Sequence, residues 1–121
     1  MSAMHVDELD LAEASGVWAI RTASQTVYFV DADSMLLLRV AGPASSRGPG
    51  DGRWVPLVSV KSLTHDDLGV IRVGNRHEYL FDWDPDGADL GFWIQRRVTS
   101  IDYVEAEQLA ALPRFPQDDP L

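Results

Sequence analysis

Apolar and polar positions alternate most clearly over residues 17–40, where two turn signals, Ala23-Ser24 and Asp31-Ala32-Asp33-Ser34, separate three apolar segments. In the first, Trp18, Ile20 and Thr22 share one face and Val17, Ala19 and Arg21 the other, the period of a β-strand. The second, residues 25–31, is rich in Thr, Val, Tyr and Phe, which suit a pleated surface. Its Val27 and Phe29 oppose Thr26, Tyr28 and Val30. The third, residues 34–41, runs through Met35, Leu36, Leu37 and Leu38 without a polar break, and Arg39 is its only charge. Apolar residues on both faces predict strands covered on both sides, a β-meander at the middle of the domain.

Outside this meander the pattern is looser. Residues 1–15 are acidic, with Val6, Leu9 and Leu11 as their large aliphatics, and read as an N-terminal arm or short helix stopped by Gly16. Residues 42–52 (GPASSRGPGDG) offer no apolar anchor and read as a flexible loop. They lack both G-K-[ST] and the G-x-G-x-x-G spacing, which disfavours phosphate binding. Over residues 53–64, Trp54, Pro56, Val58 and Val60 alternate with Val55, Leu57, Ser59 and Lys61. Pro56 cannot donate to a ladder, so this strand is expected at an edge or at a bulge. Gly74-Asn75 is the pair expected to join residues 69–73 and 76–83 in a tight hairpin. Beyond it, Phe92, Ile94, Arg96 and Val98 alternate with Trp93, Gln95 and Arg97, and Ile101, Tyr103 and Val104 close the sheet. Residues 105–112 (EAEQLAAL) are strong helix formers ended by Pro113. The expectation is an all-β, mainly antiparallel domain over residues 16–112. It is a small barrel or sandwich of about seven to eight strands in meander order, with short terminal helical segments and a disordered tail over 113–121.

Composition narrows the function. The chain has 121 residues, 45% of them hydrophobic, enough for one real core. It has no Cys, which excludes disulfides, thiolate metal sites and a Cys nucleophile. No apolar run approaches the ~18 residues of a membrane span, and the first residues carry no basic or apolar leader region, so a cytoplasmic location without membrane contact is expected. The net charge of −9 comes from 19 acids against 10 bases. It disfavours direct nucleic-acid binding and suits a basic partner.

Candidate chemistry is sparse. Asp82, Asp84 and Asp86, followed by Gly87, match the first half of a calcium loop, but Trp93 stands where the bidentate Glu belongs, and Pro-Asp-Gly is ordinary turn chemistry. No metal or cofactor is expected. His65 beside Asp66 and Asp67 lacks a ligand spacing with His77 or His5, and no G-x-S-x-G elbow marks a nucleophile. Arg96 and Arg97 point to opposite faces, one of them inward to a carboxylate such as Asp31 or Asp82. The most informative residues are the aromatics: the chain has four Trp, and Trp54, Trp83 and Trp93, with Arg96, are of the types that anchor partners.

The run Trp18-x-Ile20-x-Thr22-x-Ser24-x-Thr26-x-Tyr28-x-Val30-Asp31-x-Asp33, with Arg39 after it, resembles a pattern in small uncharacterised actinobacterial β-domain proteins. Val73-Gly74 and Arg97-Val98-Thr99-Ser100 are similar to later pieces of the same pattern. The resemblance implies a bacterial, intracellular β-domain and carries over no activity and no site residue. The functional expectation is a non-enzymatic interaction or regulatory module. It would bind a protein partner, or a second copy through strand 53–64, by a patch of Trp54, Trp83, Trp93 and Arg96 rimmed by Asp84 and Asp86. The alternatives are an acidic inhibitor (an immunity protein, antitoxin or nucleic-acid mimic) of a basic partner, and a small-molecule barrel with its mouth near His77, Arg96 and the 42–52 loop.

Overall fold

The structure is a computed structural model and describes residues 4–43, 51–65, 67–83 and 90–113. Its strands in chain order are β1 (His5–Val6), β2 (Glu8–Asp10), β3 (Val17–Thr22), β4 (Val27–Asp31), β5 (Leu36–Val40), β6 (Val55–Ser62), β7 (Val70–Arg72), β8 (His77–Phe81), β9 (Gly91–Ile94) and β10 (Val98–Tyr103), with one helical turn, α1 (Ala106–Leu109), after them. The large sheet runs β1-β10-β3-β4-β5-β6-β8-β9, and β2 pairs separately with β7. All pairings are antiparallel, and the result is sandwich-like rather than a closed barrel.

Side chains in the two turns of the central meander fix its register. Thr22 Oγ1 and Ser24 Oγ lie 2.8 Å apart in the first, and Ser24 Oγ accepts from Thr26 N. In the second, Asp31 Oδ1 accepts from Asp33 N at 3.0 Å and from Ser34 N at 3.4 Å, an Asx-type turn. Ile20 therefore faces Tyr28 and Val30 faces Leu37 on one side of the sheet, while Ala19 faces Phe29 and Phe29 faces Leu38 on the other. A slip of one residue would exchange these faces.

The sheet folds over at β5–β6, which share only the rungs Leu36–Pro56 and Leu37–Val55. Past this corner β6 pairs with β8, with a bulge between Leu57 and Ser59 that bends the strand. The inner faces of β3–β4–β5 and β6–β8–β9 then stack, Tyr28 lying flat on Tyr79 with ring centroids 4.9 Å apart. Between them lie Ile20, Val30, Leu37, Val60 and Ile101, all fully buried. The small β2–β7 sheet adds Leu9 and Ile71 to this core. A second cluster covers the outer face of the meander: Val17, Ala19, Leu36, Leu38, Trp54 and Val104, with Leu109 and Leu112 packed on it. A Glu105–Gln108 capping box starts α1, and the Trp54 indole donates to the Pro113 carbonyl at 2.8 Å. Burial on both faces of β3–β5 matches the sequence pattern.

Three elements differ from expectation. Strand 53–64 is not an edge, since β6 lies between β5 and β8, but it carries the bulge that was the other expectation, between Leu57 and Ser59. Pro56 is tolerated there because it sits at the corner, and its carbonyl still accepts from Asp82 N at 2.9 Å. The hairpin over residues 69–83 does not form, because β7 pairs with β2. Gly74, at φ +91°, instead carries the chain from the small sheet to the large one, its N–H donating to the Val98 carbonyl. Arg72 holds this crossing, with its guanidinium bidentate on Asp67 and its Nε donating to Glu8. That hydrogen bonding holds the Asp67 carboxyl below its ordinary range. Finally, the described part of the arm forms two short strands rather than a helix, since Val6 pairs with Ile101 and Leu9 with Ile71. Residues 44–50 of the expected loop and 114–121 of the expected tail lie outside the described residues.

Candidate functional site

β9 ends the large sheet, so one of its backbone edges has no strand partner among the described residues. Exposed edges are usually guarded by a charge, a proline or a bulge. β9 reads Gly-Phe-Trp-Ile and carries none of these. Alternation turns Trp93 inward and leaves Phe92 62% and Ile94 42% exposed. On the same outer face Leu80 is paired with Phe92 and Glu78 with Ile94, and Ser59 and Lys61 of β6 follow in the next row. Val58, displaced at the bulge, and Leu90, just before β9, are exposed as well. One end of this apolar face is basic. Lys61, Arg76 and Arg96 are all exposed there, and the Gln95 N–H to His77 carbonyl bond sets Arg76 beside Arg96. Such local positive charge stands out on a chain of net charge −9.

Behind that face, polar side chains run through the interior. Arg39 pairs with Asp51 at 2.7 Å, and its guanidinium carbon lies 5.1 Å from the Trp93 ring centroid and 5.9 Å from that of Tyr28. Burial works to lower the Arg39 pKa, but the Tyr28 hydroxyl and Asp51 together hold it above its ordinary value. Burial raises the Tyr28 hydroxyl against the opposing pull of Arg39, and raises Tyr79 well above the usual tyrosine range. Further along, the Arg72 N–H donates to His77 Nε2 at 3.1 Å. That nitrogen is therefore the acceptor, the ring proton sits on Nδ1, and it is donated to Gln95 Oε1 at 2.9 Å. Burial depresses the His77 pKa, so the ring is held neutral. His77, Tyr79 and Gln95 are fully buried, which suits joining the two halves of the sandwich and not meeting a substrate.

The residues anticipated as partner anchors divide. Trp93 and Arg96 fall on and beside β9, but Trp93 points inward, stacked on Phe81 at 4.0 Å, and among the described members of the set Arg96 alone lies on the open face. Trp83 is half-buried against the core and its carbonyl accepts from Arg53. Trp54 is 3% exposed beneath the C-terminal segment and is no part of an open patch. Asp84 and Asp86 lie outside the described residues. Asp82, half-buried just past β8, is the described member of the calcium pattern, and no group of three metal-ligating side chains occurs among the described residues. Arg96 and Arg97 are both exposed, so neither makes the expected inward pair. His77 is buried and cannot line a ligand mouth. Phe92, Ile94 and Leu80 were not singled out from sequence. The face that Phe92 and Ile94 share with Arg96 was legible, but alternation does not say which face of an all-apolar strand turns outward. Among the described residues, no helix is long and apolar enough to cross a membrane.

Comparison with family models, with curated proteins and with solved structures gives no match for this chain.

Proposed function

We propose that the protein is a non-enzymatic interaction module that docks an extended segment of a protein partner against β9. The observation that carries this reading is the unguarded edge of β9 with Phe92 and Ile94 outward. An added strand takes main-chain hydrogen bonds from such an edge and seats alternate side chains on the neighbouring face. Arg76 and Arg96 select a segment with acidic residues at the matching end. Phe92 is the hot-spot residue, with truncation costing about 2 kcal/mol or more of binding.

The test is selection of displayed random peptides on the folded protein, with Phe92→Lys as the counter-target. The expected peptides alternate apolar residues and end in an acidic cluster, lose binding to Phe92→Lys, and slow amide exchange in β9. Peptides that bind Phe92→Lys equally well remove the face from consideration. Concentration-dependent self-association that Phe92→Lys abolishes assigns the face to a second copy instead.

A further inference from the structure

A concave site lies toward the other end of the large sheet. Cross-strand register places His5, Asp102, Ala19 and Phe29 in one row across β1, β10, β3 and β4, on the outer face of the sheet. Ala19 has the smallest side chain in the row, so the surface is hollow between Asp102 and Phe29. Leu112 and Ala111 wall the hollow from the C-terminal segment, giving a half-open pocket of about 380 Å³. That volume is within the range of small-molecule sites.

Its floor is apolar and its rim is charged. Asp102 accepts from His5 Nδ1 and lies 3.8 Å from Arg21 Nη1, its side chain 19% exposed. The side chains of His5 and Arg21 are 68% and 52% exposed, and neither makes a further hydrogen bond or ion pair among the described residues. Asp102 thus faces both, and Arg21 stands at ion-pair distance from it with no second partner among the described residues. Arg21 keeps guanidinium donors to spare, and they match the two oxygens of a carboxylate. Among the described residues the lining contains no Ser, Thr or Cys, and its one hydroxyl is the Tyr103 phenol.

We propose that this pocket binds a small amphipathic carboxylate, its anionic head on Arg21 and its apolar body over Ala19, Phe29 and Leu112. The site stands apart from β9 and is independent of the interaction reading, so Phe92→Lys retains it.

Octanoate, octan-1-ol and acetate are the probes, titrated into the full chain and followed by amide chemical shifts. Octanoate is expected to shift residues 19, 21, 29, 102 and 111–112 together. Octan-1-ol, with the same tail and no charge, is expected to bind about tenfold more weakly, the loss of one charge-assisted contact. Acetate, which lacks the tail, is expected not to bind. Arg21→Gln, at an exposed position, weakens octanoate to the level of octan-1-ol and leaves octan-1-ol unchanged. Ala111→Trp narrows the pocket from the outside and weakens both. The proposal is overturned if octanoate and octan-1-ol bind equally, if Arg21→Gln binds octanoate as the parent does, or if the shifts scatter over the surface.

Discussion

Arg39 and Asp51 form a buried ion pair between β5 and the loop that follows it, with Nη1 2.7 Å from Oδ2 and both side chains at most 10% exposed. The same loop is pinned at both ends. The Gly42 N–H donates to Thr26 Oγ1 at 3.1 Å, and the Gly52 N–H to the Arg39 carbonyl at 2.9 Å. A run of glycine, proline and serine thus begins and ends on fixed points of the core.

Removing one partner of the pair takes away the ion-pair contact of a buried charge. Arg39→Met is expected to cost about 3–5 kcal/mol of stability. The double variant Arg39→Met, Asp51→Leu should recover much of that loss, because two well-packed apolar side chains replace a desolvated pair. Urea unfolding of the single and double variants decides the matter.

His77 gives the fold a pH dependence of known sign. Its folded-state pKa lies below the ordinary histidine value, so the unfolded chain binds a proton first as pH falls. The His77 contribution is fully present above about pH 6.5 and is lost as pH falls through the folded value. Protonation also removes Nε2 as the acceptor for Arg72 N. Urea midpoints measured from pH 8 to pH 5 should decline, and a His77→Gln variant should show a flatter decline over the same window.

Gly91 is fixed by close approach. A Cβ there would stand 2.6 Å from Phe81 Cζ and 2.9 Å from Trp83 Cδ1. Gly91→Ala must displace two aromatic rings, and is expected to cost about 1–3 kcal/mol. Thermal unfolding with tryptophan fluorescence reads both the loss and the shift of Trp83.

Trp54 ties the C-terminal segment to the sheet. Trp54→Phe keeps most of the packing and deletes the bond to Pro113, a loss of about 1 kcal/mol. Trp54→Ala adds a cavity, for about 3–5 kcal/mol in all. Faster amide exchange at Leu109 and Leu112 in both variants would show that the indole holds the helical turn.

The β3–β5 meander was legible because every local signal agreed: two turns with their own side-chain hydrogen bonds, and apolar residues on both faces. For β6 the proline gave the bulge but not the place in the sheet, because Pro56 shows in sequence only the hydrogen bond it cannot donate, while its carbonyl bond to Asp82 depends on where the sheet folds over. Gly74-Asn75 gave a sound turn signal, yet a turn does not say which strands it joins, and β7 found its partner far away in β2. At β9 the two faces were separated correctly. The larger Trp93 was taken for the outward anchor, but a bulky aromatic gains most by filling the core, and Phe92 was left on the surface. Arg39 was noted only as a lone charge. Its role depends on Asp51 and Trp93, residues that no periodicity connects to it.

The position of β10 has a consequence for folding kinetics. β3 makes its first pairing locally with β4, but its other neighbour is β10, some eighty residues further along the chain. Closing that contact costs loop entropy before it yields any burial, so assembly of the β1–β10–β3 edge should be the slow phase of folding. During synthesis the flank of β3 stays open as a sticky template until residues 98–103 emerge. A refolding experiment with Ile101→Val should therefore slow folding more than it speeds unfolding, because the slow step is the one that forms this contact.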